Sequence, residues 1–242
     1  MNRLAIFDID GTLTDTNGVD DECYRTTIAD TLGLSPEAID WSGAAHVTDS
    51  EIFRWLCAAH QRSVPSPGEM ARARSQFVER LTAALEHAPM RFASIVGAPT
   101  MLRELVERGW CVAVATGGWG PSARLKLRVA ELAIDDAVLA CADDARSRAD
   151  IVQLARERAA AFYQRRFDRV VSVGDGVWDV ETAIVLGLPF VGIARGARAD
   201  RLRSAGARAV LPDYSNLDAV WAALETAKTP SPSSNQLRVG DE

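Results

Sequence analysis

The sequence predicts a doubly wound α/β domain, a parallel sheet flanked by helices, interrupted by one inserted α-helical domain. Three observations predict it. Short, nearly continuous apolar runs mark strands buried on both faces. Those runs alternate with helical stretches, which is the order of strand–helix–strand winding. One interval, from about Asp20 to Arg91, breaks the alternation with helical patterns and no clear strand.

The first strand is RLAIFDI (3–9). After the insert come WCVAVA (110–115), AVLAC (137–141), RVVSVG (169–174), PFVGI (189–193) and RAVL (208–211). Between them, PTMLRELVERG opens with Pro99 in a first turn and stops at Gly109. SRADIVQLARERAAAF opens on a Ser147-x-x-Asp150 capping box, and DVETAIVLGL ends near Gly187. In the insert, DDECYRTTIADTLG, TDSEIFRWLCAAH and GEMARARSQFVERLTAALEHA read as helices, the second with a Thr48-x-x-Glu51 capping box. The expected division is a core of residues 1–16 and 92–228, an insert of 17–91, and a Pro- and Ser-rich disordered tail of 229–242.

With 242 residues and 48% apolar content, the chain has material for a core domain plus an insert. A net charge of −6 argues against a nucleic-acid partner, and no apolar run is long enough for a membrane. With no basic-then-apolar leader at the start of the sequence, the expected compartment is the cytoplasm. The four cysteines are widely spaced; Cys111 and Cys141 lie in apolar runs and read as buried thiols. The three histidines do not pair with them, which disfavours structural zinc.

Ligands of a doubly wound sheet bind outside the carboxyl ends of its strands. Four polar clusters fall there. Asp8 and Asp10, with Gly11 and Thr12, follow the first strand; Thr116, Gly117 and Gly118 follow the second. ADDARSRAD (142–150) follows the third, and Asp175 with Asp179 follows the fourth. Asp8, Asp10 and Asp175 around one point need a divalent cation, and ligation by oxygen alone selects a hard one such as Mg²⁺. Such an ion keeps waters and binds substrate phosphate. Thr116, the N–H groups of Gly117 and Gly118, and an arginine from the third cluster are the candidates for its other oxygens.

DIDGTLTD, VAVATGG, a basic residue opening a later helix, and VSVGDGVWDVETA resemble the four ordered motifs of the haloacid dehalogenase (HAD) superfamily. They look like its phosphatase branch, of the phosphoglycolate phosphatase-like kind with a helical C1-type cap, over roughly residues 3–211. The resemblance implies a HAD-like Rossmannoid core and residue roles. Asp8 would be the nucleophile that forms an aspartyl-phosphate. Asp10 would protonate the leaving alcohol, then serve as base for the hydrolytic water, with its backbone carbonyl on the metal. Asp175 would be a second carboxylate on Mg²⁺, Asp179 would orient a metal-bound water or the basic residue, and Thr116 would bond the phosphate. Gly11 and Thr12 would support the first motif.

The basic residue departs from the lysine common in that family. Of 27 basic residues only Lys126 and Lys228 are lysines; the first follows Thr116 too closely and the second lies in the tail. Arginine must substitute. Arg146 and Arg148 compete, and Arg148 is favoured because Ser147 as N-cap puts it at the first helical position. In the insert, His46 and Arg54 are candidate specificity residues, whereas Trp41, Trp55 and Trp119 read as packing, Trp119 with a possible place beside the pocket.

The expected activity is Mg²⁺-dependent hydrolysis of a small phosphorylated metabolite, such as a sugar phosphate or phosphoglycolate. A phosphomutase would use the same aspartates. A phospho-acceptor signalling domain is disfavoured by Asp10, the insert and the chain length. Dehalogenation is disfavoured because that branch has no use for an acid at Asp10.

Overall fold

A computed structural model describes residues 1–231 of the chain. Its centre is a six-stranded, all-parallel sheet of order β3-β2-β1-β4-β5-β6. The strands are β1 (Arg3–Phe7), β2 (Trp110–Ala115), β3 (Leu139–Ala140), β4 (Arg169–Gly174), β5 (Phe190–Ile193) and β6 (Val210–Leu211). All six expected strands are present; the second and fourth match their full expected spans and the other four are shorter, the first ending at Phe7.

Alternate strand residues face opposite layers. Ala5, Phe7, Val112, Val114, Val171 and Val173 pack with helices α4 (Ala98–Glu107), α5 (Gly120–Val129) and α9 (Leu217–Thr226). Leu4, Ile6, Cys111, Ala113 and Val170 pack on the other side with α6 (Arg148–Phe162), α7 (Val177–Leu186) and α8 (Gly196–Ser204). Capping follows the sequence. Ser147 Oγ accepts the N–H of Asp150, and Gly187 closes α7 at φ 64°.

The insert supplies α1 (Asn17–Leu32), α2 (Asp49–Ala59) and α3 (Pro67–His87), whose apolar faces meet in a third core. That core is not sealed from the sheet domain. Trp119, fully buried, and Leu125 reach into it from the loop before α5 and from α5 itself. Trp119 packs on Tyr24 and Phe77, with ring centroids at 5.6 and 5.8 Å, and its indole N–H donates to Ser50 Oγ at 2.8 Å. The expectation that Trp119 packs is met; it does not line the cavity described below.

One expectation is overturned. Thr48 does precede α2, but its side chain caps nothing and donates instead to Arg146 O, at 3.1 Å. Glu51 faces Arg146 and Arg54 rather than the helix start, because those guanidiniums offer it a charge-assisted bond. The disordered-tail expectation falls mostly on 232–242, outside the described residues. Within them, Thr229 Oγ1 donates to Gly187 O at 3.1 Å. All four cysteines are buried and free. Among the described residues, no helix is long and apolar enough to cross a membrane.

Trp119 therefore ties the insert to the sheet domain. Trp119→Ala is expected to cost about 3–5 kcal/mol and to lower the melting temperature by roughly 6–20 °C, read by thermal unfolding. A shift under about 2 °C would contradict this role.

Candidate active site

Register places the site residues. Phe7 pairs with Val114 on one side and Val173 on the other. Asp8, Thr116 and Asp175 are each the first residue after their strands β1, β2 and β4. The N–H of Asp8 donates to Val173 O, and that of Thr116 to Ala140 O, both at 3.0 Å. Three clusters distant in sequence meet at one edge because parallel strands end together.

Asp8, Asp175 and Asp179 each turn a carboxylate oxygen into a common space, all within 4.8 Å of one another. All three are buried. Asp175 Oδ1 has no hydrogen-bond partner, while Oδ2 accepts from Asn17 Nδ2 at 2.8 Å. Burial, and then Asp179, push the Asp8 carboxyl far above the usual range; Arg148 offsets part of this. Asp175 is pushed up to about 7 by burial and then by Asp8. Asp179 rises too, chiefly through burial, against the pull of Arg148. An orphaned buried oxygen beside two further carboxylates suits a hard divalent cation, so the residues present fit Mg²⁺. Gly11 is required here. Its φ is 75°, and a Cβ would lie 2.0 Å from Asp175 Oδ2 and 2.1 Å from Asn17 Nδ2.

Arg148, not Arg146, reaches this cluster. Its Nη1 lies 3.1 Å from Asp179 Oδ1 and 3.6 Å from Asp8 Oδ1. Its Nε donates to Val47 O at 2.8 Å, and its guanidinium sits 5.2 Å from the centre of the Trp178 ring. Asp179 Oδ2 accepts the N–H of Gly176 at 3.0 Å, so Asp179 both holds Arg148 and adds a third carboxylate to the metal candidates. Arg146 is exposed and grips Glu51 with two bonds of 2.8 and 2.9 Å.

The Asp10 side chain turns away from the three carboxylates. Its Oδ1 accepts from Thr16 Oγ1 and its Oδ2 from Lys126 Nζ, the latter at 2.7 Å. Any share of Asp10 in metal binding would come from its main-chain carbonyl, as the resemblance implies. Lys126, dismissed on spacing alone, is fully buried and pairs with Asp20 as well. Burial alone would lower its pKa, but Asp10 and Asp20 outweigh that and raise it. The signal for it was present: a lone lysine between Leu125 and Leu127, in a chain whose other cations are almost all arginine.

Thr116 is buried beside the cavity, and its Oγ1 accepts the N–H of Gly118 at 3.1 Å, which occupies one of the N–H groups expected to face phosphate. Gly117 has no room for a side chain: a Cβ would lie 2.5 Å from Arg148 Nη2 and 2.8 Å from Val47 O. Thr12 is fully buried with its hydroxyl unpaired, and it does not border the cavity. Asp8, Asp10, Thr116, Gly117 and Arg148 line a cavity of about 140 Å³ between sheet edge and insert. Asn17, Trp41 and Trp178 also border it. His46 and Arg54 do not; His46 is exposed and Arg54 pairs with Glu51.

With the cavity charged this way, the raised carboxylates fix a pH dependence. Between the ordinary carboxylate pKa near 4 and their raised values, the folded state holds protons that the unfolded state has released. The ion-free protein should therefore lose stability as pH rises from about 5 to 8. Protons compete with the ion at low pH, so Mg²⁺ should raise the melting temperature more at the upper end of that window. An Mg²⁺ shift absent at both ends, or larger at the lower, would contradict the cluster's assignment.

The family model for haloacid dehalogenase-like hydrolases matches residues 3–187. No curated protein matches the sequence. Among solved structures, a hydrolase from Pseudomonas syringae superposes with a TM-score of 0.68 at 20% identity, over 93% of this chain and 99% of that one. CbbY from Rhodobacter sphaeroides, in complex with phosphate, gives 0.66 at 22% identity, over 93% and 100%. A protein proposed to be a β-phosphoglucomutase, from Bacteroides vulgatus, gives 0.68 at 16% identity, over 94% and 90%. At these identities the likeness is one of fold. The parallel sheet, the four polar clusters at its carboxyl edge and the match over most of its length make this chain a member of the haloacid dehalogenase-like hydrolase family.

Proposed function

We propose that the chain is a Mg²⁺-dependent phosphomonoester hydrolase working through an aspartyl-phosphate at Asp8. The observation that carries this reading is Asp8 itself. It is a buried carboxylate at the cavity floor, with Arg148 3.6 Å away and two further carboxylates positioned for a shared cation.

In the first half-reaction an Asp8 oxygen attacks phosphorus, and the bond to the leaving oxygen breaks. Asp10 gives that oxygen its proton, so an alcohol departs. In the second half-reaction Asp10 takes a proton from water. That water attacks the same phosphorus, releasing inorganic phosphate and restoring the Asp8 carboxylate. Bound to Asp8, Asp175 and Asp179, Mg²⁺ would supply positive charge that lets a phosphate dianion approach a carboxylate. Arg148, held by Asp179 and Val47 O, would bind phosphate oxygens. Lys126 and Thr16 would hold the Asp10 carboxylate in one orientation.

The insert closes the site. The N–H of Asp49 donates to Gly117 O at 2.8 Å, Ser50 Oγ donates to Ala142 O at 3.2 Å, and Glu51 grips Arg146. Such closure would keep bulk water from the acyl phosphate. It also supports a second reading, a phosphomutase, as the structural likeness to the Bacteroides vulgatus protein allows. The partner would be a small phosphorylated metabolite, and four buried free thiols accord with a reducing compartment such as the cytoplasm.

Phosphate release from a panel of phosphomonoesters, with and without Mg²⁺, tests the proposal. Asp8→Asn should abolish turnover, and Asp10→Asn should lower it by about 10²–10⁴-fold for alkyl leaving groups. Arg148→Ala should cost at least about 10²-fold and Arg146→Ala only a few-fold, roughly the difference between a phosphate contact and an exposed ion pair. Normal activity in Asp8→Asn would refute the nucleophile. Conversion of a sugar phosphate to its isomer with little phosphate released would favour the mutase.

A further inference from the structure

Beyond its phosphate end, the cavity is walled by Asp20, Asp21 and Asp49, with Tyr24, Trp41 and Ile52 between them. This wall comes almost wholly from the insert, and no lysine or arginine belongs to it among the described residues. The cations nearest to it are committed elsewhere. Lys126 is fully buried behind Asp10 and Asp20 and bonded to both. Arg25 bonds Asp21 Oδ2 at 2.8 Å, donates to Ile39 O, and lies 4.1 Å from the centre of the Trp41 ring. Arg54 pairs with Glu51. Arg148 is therefore the one cationic side chain lining the cavity among the described residues, and it stands at the phosphate end.

We propose that the substrate carries a single phosphate on an alcohol with further hydroxyl or amino groups and no negative charge. This rests on the phosphatase reading above. Carboxylates accept hydrogen bonds and donate none when ionised, so they reward hydroxyl or ammonium groups on the leaving alcohol. A carboxylate or second phosphate at the same place would find no free cation to bind it, because Lys126 and Arg25 are already bonded to Asp10, Asp20 and Asp21. Trp41 and Ile52 supply apolar surface for the carbon skeleton. Of the two substrates expected from the sequence, a sugar phosphate suits this wall and phosphoglycolate does not.

The test uses matched pairs with Mg²⁺ and the full chain. Glycerol 3-phosphate is set against 3-phosphoglycerate, and ethanolamine phosphate against phosphoglycolate, with p-nitrophenyl phosphate as a generic substrate. The donor-bearing member should show a kcat/KM at least about tenfold higher in each pair, the scale of a charged group left without a partner. Asp21→Asn, which also frees Arg25, should narrow that ratio by improving the anionic member. If p-nitrophenyl phosphate is hydrolysed but the anionic member equals or exceeds its partner, the inference is overturned while the phosphatase stands. An unchanged ratio in Asp21→Asn would overturn it equally. If no phosphomonoester is hydrolysed, the phosphatase reading falls and this inference falls with it.

Discussion

Everything at the sheet edge follows from the repulsion among carboxylates that the fold forces together. Asp8, Asp175 and Asp179 are fixed within 4.8 Å by strand register and a helix start, not by attraction. Burial removes the water that would screen them. Two guanidiniums are present, Arg148 beside Asp8 and Asp179 and Arg198 3.4 Å from Asp175 Oδ2, and they still leave Asp175 Oδ1 with no partner. The cluster is thus an unfinished charge balance. A hard divalent cation would complete it, and the completed site would have the sign that the proposed phosphate substrate needs.

The surrounding residues make sense as the means of holding that cluster still. Gly11 lets the chain turn beneath Asp175, and Asn17 ties Asp175 from the start of α1. Asp179 binds the N–H of Gly176 and Arg148 at once. On the far side, residues 47–51 are stitched to the loops after β2 and β3, so the insert is part of the site as well as its lid. Because Arg148 bonds both Val47 O and Asp179, movement of the insert and the position of the guanidinium beside Asp8 are mechanically linked.

Much of this is legible in the sequence. Alternating apolar runs gave the parallel sheet, and a parallel sheet requires that clusters after successive strands share one edge. Ser147 as N-cap was enough to choose Arg148 over Arg146, since the first helical position points back to the sheet edge. What escaped was whatever depends on rotation and reach. Lys126 is ten residues past Thr116, and only the turn of α5 and its long stem bring it to Asp10. Asn17 and Trp178 were in plain sight, but nothing in their neighbours marks them as facing the cavity. The Thr48-x-x-Glu51 pattern failed because a cap is a weak local preference, and Arg146 across the interface outbid it. The acidic wall contributed by Asp20, Asp21 and Asp49 could not be read either, since α1 and α2 meet there through the Tyr24 hydroxyl, which donates to Asp49 O at 2.6 Å, and through the packing of Tyr24 on Phe77 and Trp119.

The central claim is that Asp8, Asp175 and Asp179 form one cation site. Calorimetric titration of the metal-free chain with Mg²⁺ near neutral pH addresses it directly, in wild type and in Asp175→Asn. The account predicts saturable uptake of one ion per chain by the wild type, and loss of that uptake in the variant. No binding by the wild type, or equal binding by both proteins, would contradict it.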